Sequence, residues 1–129
     1  MNIKNKLKTL IAKNPLTLDC GKTINNYPIA YETYGSLNEK KDNAILAFHA
    51  LTGDQYVSGI NPVTNKNGWW SHLVGPSKGI DTNKYFVICA NVIGGCMGSY
   101  GPSSVDTNTN ATLGINFPVI TINDMVNAQ

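Results

Sequence analysis

The sequence predicts an α/β fold with buried parallel strands, and three observations carry that prediction. Two continuous apolar runs, residues 44–49 (Ala-Ile-Leu-Ala-Phe-His) and 85–92 (Tyr-Phe-Val-Ile-Cys-Ala-Asn-Val), have the character of central strands covered on both faces. Between them, residues 69–74 (Trp-Trp-Ser-His-Leu-Val) leave room for a short helix closing before Gly75 and Pro76. Strand, helical crossover and strand make a parallel pair. The length agrees, since 129 residues fit one domain that hides roughly two-thirds of its unfolded surface and are too few for a two-domain enzyme.

The remaining elements follow in chain order. Ile3, Leu7, Leu10 and Ile11 recur at helical spacing with lysines between them, which predicts an N-terminal helical extension over residues 1–13, ended before Pro15. Such a basic amphipathic helix can lie on a membrane, address an organelle, or simply present a solvated lysine face. Residues 16–20 and 27–34 read as two arms of an antiparallel pair turning at Asn25 and Asn26. Residues 35–43 form a polar loop. After Val92 a Gly/Ser/Pro/Asn-rich stretch runs to about Pro118, and so long a loop in a compact domain is usually functional or disordered. Thr121 as N-cap with Asp124 three residues on opens a closing helix through a variant capping box.

Composition narrows the function classes. At 42% hydrophobic and 14% charged, with a net charge of +2, the chain is a folded protein with no electrostatic argument for nucleic acid. All ten cationic side chains are lysines. An anion held here must therefore use Lys, backbone amides or groups supplied from elsewhere, because the bidentate fork of arginine is missing. Cys20, Cys89 and Cys96 are an odd number without a C-x-x-C pair, so neither a disulfide framework nor a zinc site is signalled. His49 and His72 are too few and too separated to propose a metal. Lys4, Lys6, Lys8 and Lys13 break the only candidate signal peptide, and no run approaches the ~20 apolar residues of a membrane span. The expected location is the cytoplasm, with no membrane partner.

Two motifs point to chemistry. Residues 49–54, His-Ala-Leu-Thr-Gly-Asp, stand where an apolar strand ends, a position from which a backbone amide at a tight turn can be aimed at the oxyanion of a tetrahedral intermediate. The same hexapeptide also reads as a plain strand-to-loop turn with His49 as a satisfied core histidine. Residues 94–98, Gly-Gly-Cys-Met-Gly, place Cys96 at the centre of a G-x-nucleophile-x-G pattern. An elbow of that kind needs a helix directly after the nucleophile, and residues 99–104, Ser-Tyr-Gly-Pro-Ser-Ser, cannot form an ordinary one. No plausible Asp and His follow to complete a triad, so the better reading is a close-packed loop bordering a pocket. The glycines at 94, 95, 98 and 101 match neither the P-loop nor the G-x-G-x-x-G pattern, which removes nucleotide binding.

Taken in order, these segments resemble the N-terminal part of the homoserine O-acetyltransferase family over residues 14–129. The matching stretches are Leu-Thr-Leu at 16–18, Ala-Tyr-Glu-Thr-Tyr-Gly at 30–35, the hexapeptide at 49–54, Gly-Trp-Trp at 68–70 and Tyr-Phe-Val-Ile-Cys at 85–89. They continue with Gly-Gly-Cys-Met-Gly-Ser at 94–99, Gly-Pro-Ser-Ser at 101–104 and Phe-Pro-Val-Ile-Thr-Ile at 117–122. The resemblance implies the N-terminal portion of an α/β-hydrolase domain and a ping-pong transfer. A serine takes an acyl group from acetyl-CoA or succinyl-CoA, acetyl-CoA being the expected donor, and passes it to the hydroxyl of L-homoserine on the way to methionine. It implies that Leu51 offers its backbone N–H to the oxyanion hole, that Thr52 lines the same corner, and that Gly94, Gly95, Cys96 and Gly98 border the substrate pocket. It also implies a homodimeric full-length enzyme and no bound cofactor or metal. The family's nucleophile, acid and base have no counterpart here, so the expectation is an incomplete domain, inactive alone. The alternatives are a non-catalytic binding module, a serine O-acyltransferase, or another relative of the same fold.

Overall fold

The computed structural model describes residues 7–107 and 109–129. Its strands are β1 (Lys8–Ala12), β2 (Leu16–Thr17), β3 (Thr23–Ile24), β4 (Tyr27–Tyr34), β5 (Ala44–Ala47), β6 (Val74–Gly75), β7 (Ile80–Asp81) and β8 (Phe86–Ala90). A 3-10 turn at Gly114–Asn116 and one helix, α1 (Ile122–Asn127), follow. The main sheet has the order β1-β4-β8-β5. β8 runs antiparallel to β4, with Tyr31 opposite Ala90 and Tyr34 opposite Val87, and parallel to β5, with Ala44 opposite Phe86 and Ala47 opposite Cys89. In β8 the β-branched and apolar residues alternate as a pleated strand requires, Val87 and Cys89 fully buried between half-buried neighbours.

The chain forms two compact units. The first comprises Tyr31–Ala90 with the described part of Met1–Lys8. Ala47, Val57, Val74, Val87 and Cys89 are its core, packed by Tyr34, Ile45, Trp69 and Ile80. Each of the three valines is completely covered, a burial that contributes about 1.5–3 kcal/mol apiece. The second unit comprises Thr9–Ala30 and Asn91–Gln129, and buries Leu16, Leu18, Ile24, Tyr27, Ile29 and Ile93. Its helix opens on the capping box read from the sequence: Asp124 N–H donates to Thr121 Oγ1 (3.2 Å) and Thr121 N–H donates to Asp124 Oδ2 (2.8 Å). The other Asp124 carboxylate oxygen accepts Asp19 N–H at 2.9 Å, which pins the β2–β3 turn to the helix start. These donated amides, Thr121 first, hold the fully covered Asp124 carboxyl below its ordinary range.

Four expectations are corrected. Residues 8–12 form an edge strand beside β4, and the helix expected there is absent; the rest of the predicted segment, residues 1–6, lies outside the described residues. Ladder pairing outweighs a helical periodicity that had no face to bury, since Leu10 and Ile11 are both exposed. Lys8 Nζ instead reaches Glu32 Oε1 and Thr33 Oγ1, each at 2.6 Å. The strand at residues 16–17 pairs with β3, while β4 pairs with β8, so the two arms expected to pair do not. Gly21, at φ 83°, turns the chain between β2 and β3 earlier than the Asn pair.

The other two corrections concern the crossover. Residues 69–73 are successive turns. The Trp69 indole Nε1–H donates to Asp54 O and the Trp70 backbone N–H to Val57 O, which tether both residues to the preceding loop in place of a regular helix. The cover expected on both sides of β5 is not found among the described residues: it is paired there only with β8, and Leu46 and Phe48 are 48% and 61% exposed. The parallel β5–β8 pair, the long irregular stretch after β8 and the closing helix stand as read. Among the described residues no helix is long and apolar enough to cross a membrane.

Candidate active site

The first candidate segment leaves the end of β5 in the first unit. Gly53 N–H donates to Ala50 O at 2.7 Å and closes a tight turn with Leu51 and Thr52 at its two corners. His49 is buried, and its Nδ1 lies 2.7 Å from the same Ala50 carbonyl, so the imidazole buckles the turn from inside. A Cβ on Gly53 would come to 3.1 Å from Ala50 O and 3.2 Å from His49 Cβ, so a side chain there would require these neighbours to give by a few tenths of an ångström. Both corner residues are exposed, Leu51 by 66%. Among the described residues the Leu51 N–H donates to no acceptor.

Asp54 anchors the far side of this turn. Its Oδ1 accepts Tyr56 N–H (2.9 Å), its Oδ2 accepts Asn61 Nδ2–H (2.7 Å), and its carbonyl accepts the Trp69 indole. Beneath it lies Cys89, its Sγ 4.0 Å from Asp54 O. Burial, with the Asp54 charge added, pushes this thiol up to about 12, so it is packing and not a nucleophile. Burial pushes the Tyr34 hydroxyl up to about 12 as well. His49 therefore acts as a satisfied core histidine and, at the same time, shapes a turn that presents a free amide. The two readings of the hexapeptide are compatible.

The second candidate segment is the glycine loop in the second unit. Gly94, Cys96 and Gly98 are exposed and Gly95 half-buried, in bends with no helix after Cys96, as its flanking residues foretold. Gly94 N–H donates to Tyr100 O (2.7 Å), closing the loop at its neck. At Gly101 the backbone passes so close that a Cβ would stand 2.4 Å from Gly95 O. Tyr100 packs against Phe117 with ring centroids 5.2 Å apart, bracing the loop from the following segment.

Sequence reading singled out no role for Ser99, which is almost fully buried and hydrogen-bonded on both sides, to Ala30 N and Asn91 O. A serine among glycines carries no signal of burial. It also missed a cleft of about 390 Å³ in the first unit, lined by residues including Glu32, Tyr34, Tyr56, Ser58 and Ile60. None of the site residues proposed from the sequence lines it. Among the described residues no cluster of three His, Cys, Asp or Glu side chains is arranged to hold a metal ion.

The chain is 73% identical over all of its 129 residues to the homoserine O-acetyltransferase of Pelagibacter ubique, of which it covers 35%. Its backbone superposes on the crystal structure of homoserine O-acetyltransferase from Bacillus anthracis with a TM-score of 0.82 and 34% identity, over 96% of this chain and 35% of that one. Esterase E22 is similar at a TM-score of 0.77 and 31% identity, over 95% and 36%. No protein-family model matches. The chain thus spans about a third of the length of the relatives it resembles.

Proposed function

The chain belongs to the homoserine O-acetyltransferase family, and from that premise we propose that it supplies the oxyanion corner and one pocket wall of an acyl-CoA-dependent homoserine acyltransferase. One observation carries the reading: the turn at the end of β5 is closed by its own hydrogen bond and by His49, yet leaves the exposed Leu51 N–H without an acceptor among the described residues. A donor fixed in that way costs no reorganisation when negative charge develops on a carbonyl oxygen, and one such donor is worth roughly 10²–10³ in kcat. A serine nucleophile and its acid–base partners come from sequence outside residues 1–129. The serine attacks the thioester of acetyl-CoA, the carbonyl oxygen takes the charge beside Leu51 N–H, and coenzyme A leaves. The hydroxyl of L-homoserine then attacks the acyl-serine through a second tetrahedral intermediate at the same amide.

In this reading Thr52 lines the oxyanion corner, and Gly94, Gly95, Cys96 and Gly98 form a wall without bulky side chains beside the acyl acceptor. The reaction places the protein in methionine biosynthesis, a cytoplasmic pathway, and the complete enzyme is a homodimer. The likeness to esterase E22 supports a second reading in which water is the acceptor. The full-length protein carrying this sequence, supplied with acetyl-CoA and L-homoserine, is expected to release coenzyme A and yield O-acetylhomoserine by mass spectrometry. Free acetate without the amino-acid ester would replace transferase with hydrolase. Residues 1–129 alone are expected to give neither product.

A further inference from the structure

The β4–β8 ladder stops in an unusual way. Continuing the antiparallel register one step past Tyr31 and Ala90 sets Ala30 opposite Asn91, a pair that should exchange two backbone hydrogen bonds. Only one is made: Asn91 N–H donates to Ala30 O at 2.7 Å. In place of the other stands the Ser99 hydroxyl, which accepts Ala30 N–H at 3.0 Å and donates to Asn91 O at 2.6 Å. Two residues further along β4, Pro28 has no N–H to offer, and its carbonyl accepts Tyr100 N–H at 2.8 Å. β4 thus changes partner, from the strand end at Asn91 to the returning chain at Ser99 and Tyr100. Everything between, including Gly94, Gly95, Cys96 and Gly98, is expelled from the sheet as a loop with both ends fixed.

We infer that Ser99 is a positioning residue: its hydroxyl splices the departing and returning chain onto β4 and so sets where the glycine wall stands. A hydroxyl suits the place because it is donor and acceptor at once, accepting from the Ala30 N–H while donating to the Asn91 carbonyl. Ser99 is 3% exposed, so water does not substitute for it, and its removal takes from the Ala30 N–H the acceptor it has in the structure. The functional half of this inference rests on the pocket-wall reading given above.

The test uses the full-length protein carrying this sequence, as Ser99→Ala and Ser99→Thr, with two readouts. Hydrogen exchange at the Ala30 amide is expected to quicken by about tenfold or more in Ser99→Ala, and KM for L-homoserine to rise by about tenfold with kcat changed by less than about threefold. Ser99→Thr, which keeps the hydroxyl, is expected to restore both. Unchanged exchange at Ala30 in Ser99→Ala, or a threonine variant as impaired as the alanine one, overturns the inference, and the threonine variant decides alone if the alanine protein does not fold. Quickened exchange with an unmoved KM overturns its functional half and locates the fault in the pocket-wall reading. A parent enzyme that makes no acylhomoserine sinks the proposed function, while the exchange result still judges the splice.

Discussion

The turn after β5 and the glycine loop after β8 solve the problem of placing backbone in two different ways. The turn is four residues long, closed by one local hydrogen bond and buckled by the ring of its own neighbour, His49. The loop is longer and has no repeating ladder, so it depends on isolated fixings: Ser99 at the sheet, Gly94 on Tyr100, and the close pass of Gly101 under Gly95. A short turn holds a single donor rigidly at little entropic cost, whereas a long loop forms a surface only as good as its fixings. The first suits a group that must meet a transition state, the second a wall that must leave space.

The sharpest way to break that contrast is to delete the donor. Leu51→Pro removes the amide at the first corner of the turn, where proline is sterically accepted. In the full-length protein kcat is expected to fall by about 10²–10³ with an unchanged circular dichroism spectrum; an unaffected kcat would reduce the turn to a plain connector. Stability should separate the two segments next. Gly101→Ala must displace the Gly95 carbonyl from 2.4 Å and is expected to cost about 1–3 kcal/mol in a denaturant titration. Gly53→Ala meets its neighbours only at 3.1–3.2 Å and should cost less, so the reverse order would contradict the dependence of the loop on its fixings.

The smallest effect is chemical and concerns which thiols are reachable. Cys96 in the loop and Cys20 are exposed and should react with a thiol reagent at pH 8, while Cys89 under the turn should react only on unfolding. The same thiol makes the first unit sensitive to alkali. Because its folded value, about 12, lies above the ordinary 9.0, the unfolded chain loses its proton first. Its contribution is therefore complete below pH 9 and drains away as pH rises toward 12. A denaturation midpoint flat across that range would contradict the burial of Cys89.

Much of this arrangement was legible in the sequence because local chemistry alone enforced it. The apolar run of β8, the parallel partner in β5 and the Thr121–Asp124 capping box needed only composition and spacing. The failures have a common cause, which is competition from distant chain. Residues 8–12 have helical spacing but gain a ladder beside β4, and Trp69 and Trp70 are drawn to the carbonyls of Asp54 and Val57 in place of a regular helix. The one-sided pairing of β5 among the described residues follows from which strands lie beside it, information its own residues do not contain. Of the candidate segments, the tight turn that holds Leu51 and Thr52 was recognisable through its motif. Ser99 was not, because its role depends on Ala30, far away along the chain.

The sheet order has a last consequence, for timing. β4 and β5 are neighbours in sequence but not in space, since β8 lies between them. Neither can complete its ladder until a strand made about forty residues after β5 has emerged, a wait of a few seconds at roughly 5–20 residues per second of synthesis. Through that interval Ile45 and Ala47, which end against the core of the first unit, belong to a nascent chain with nothing to dock on. The strand that ends at the Ala50–Gly53 turn is thus one that a growing polypeptide must carry unpaired until β8 is made, and a codon-level pause before β8 would lengthen its exposure.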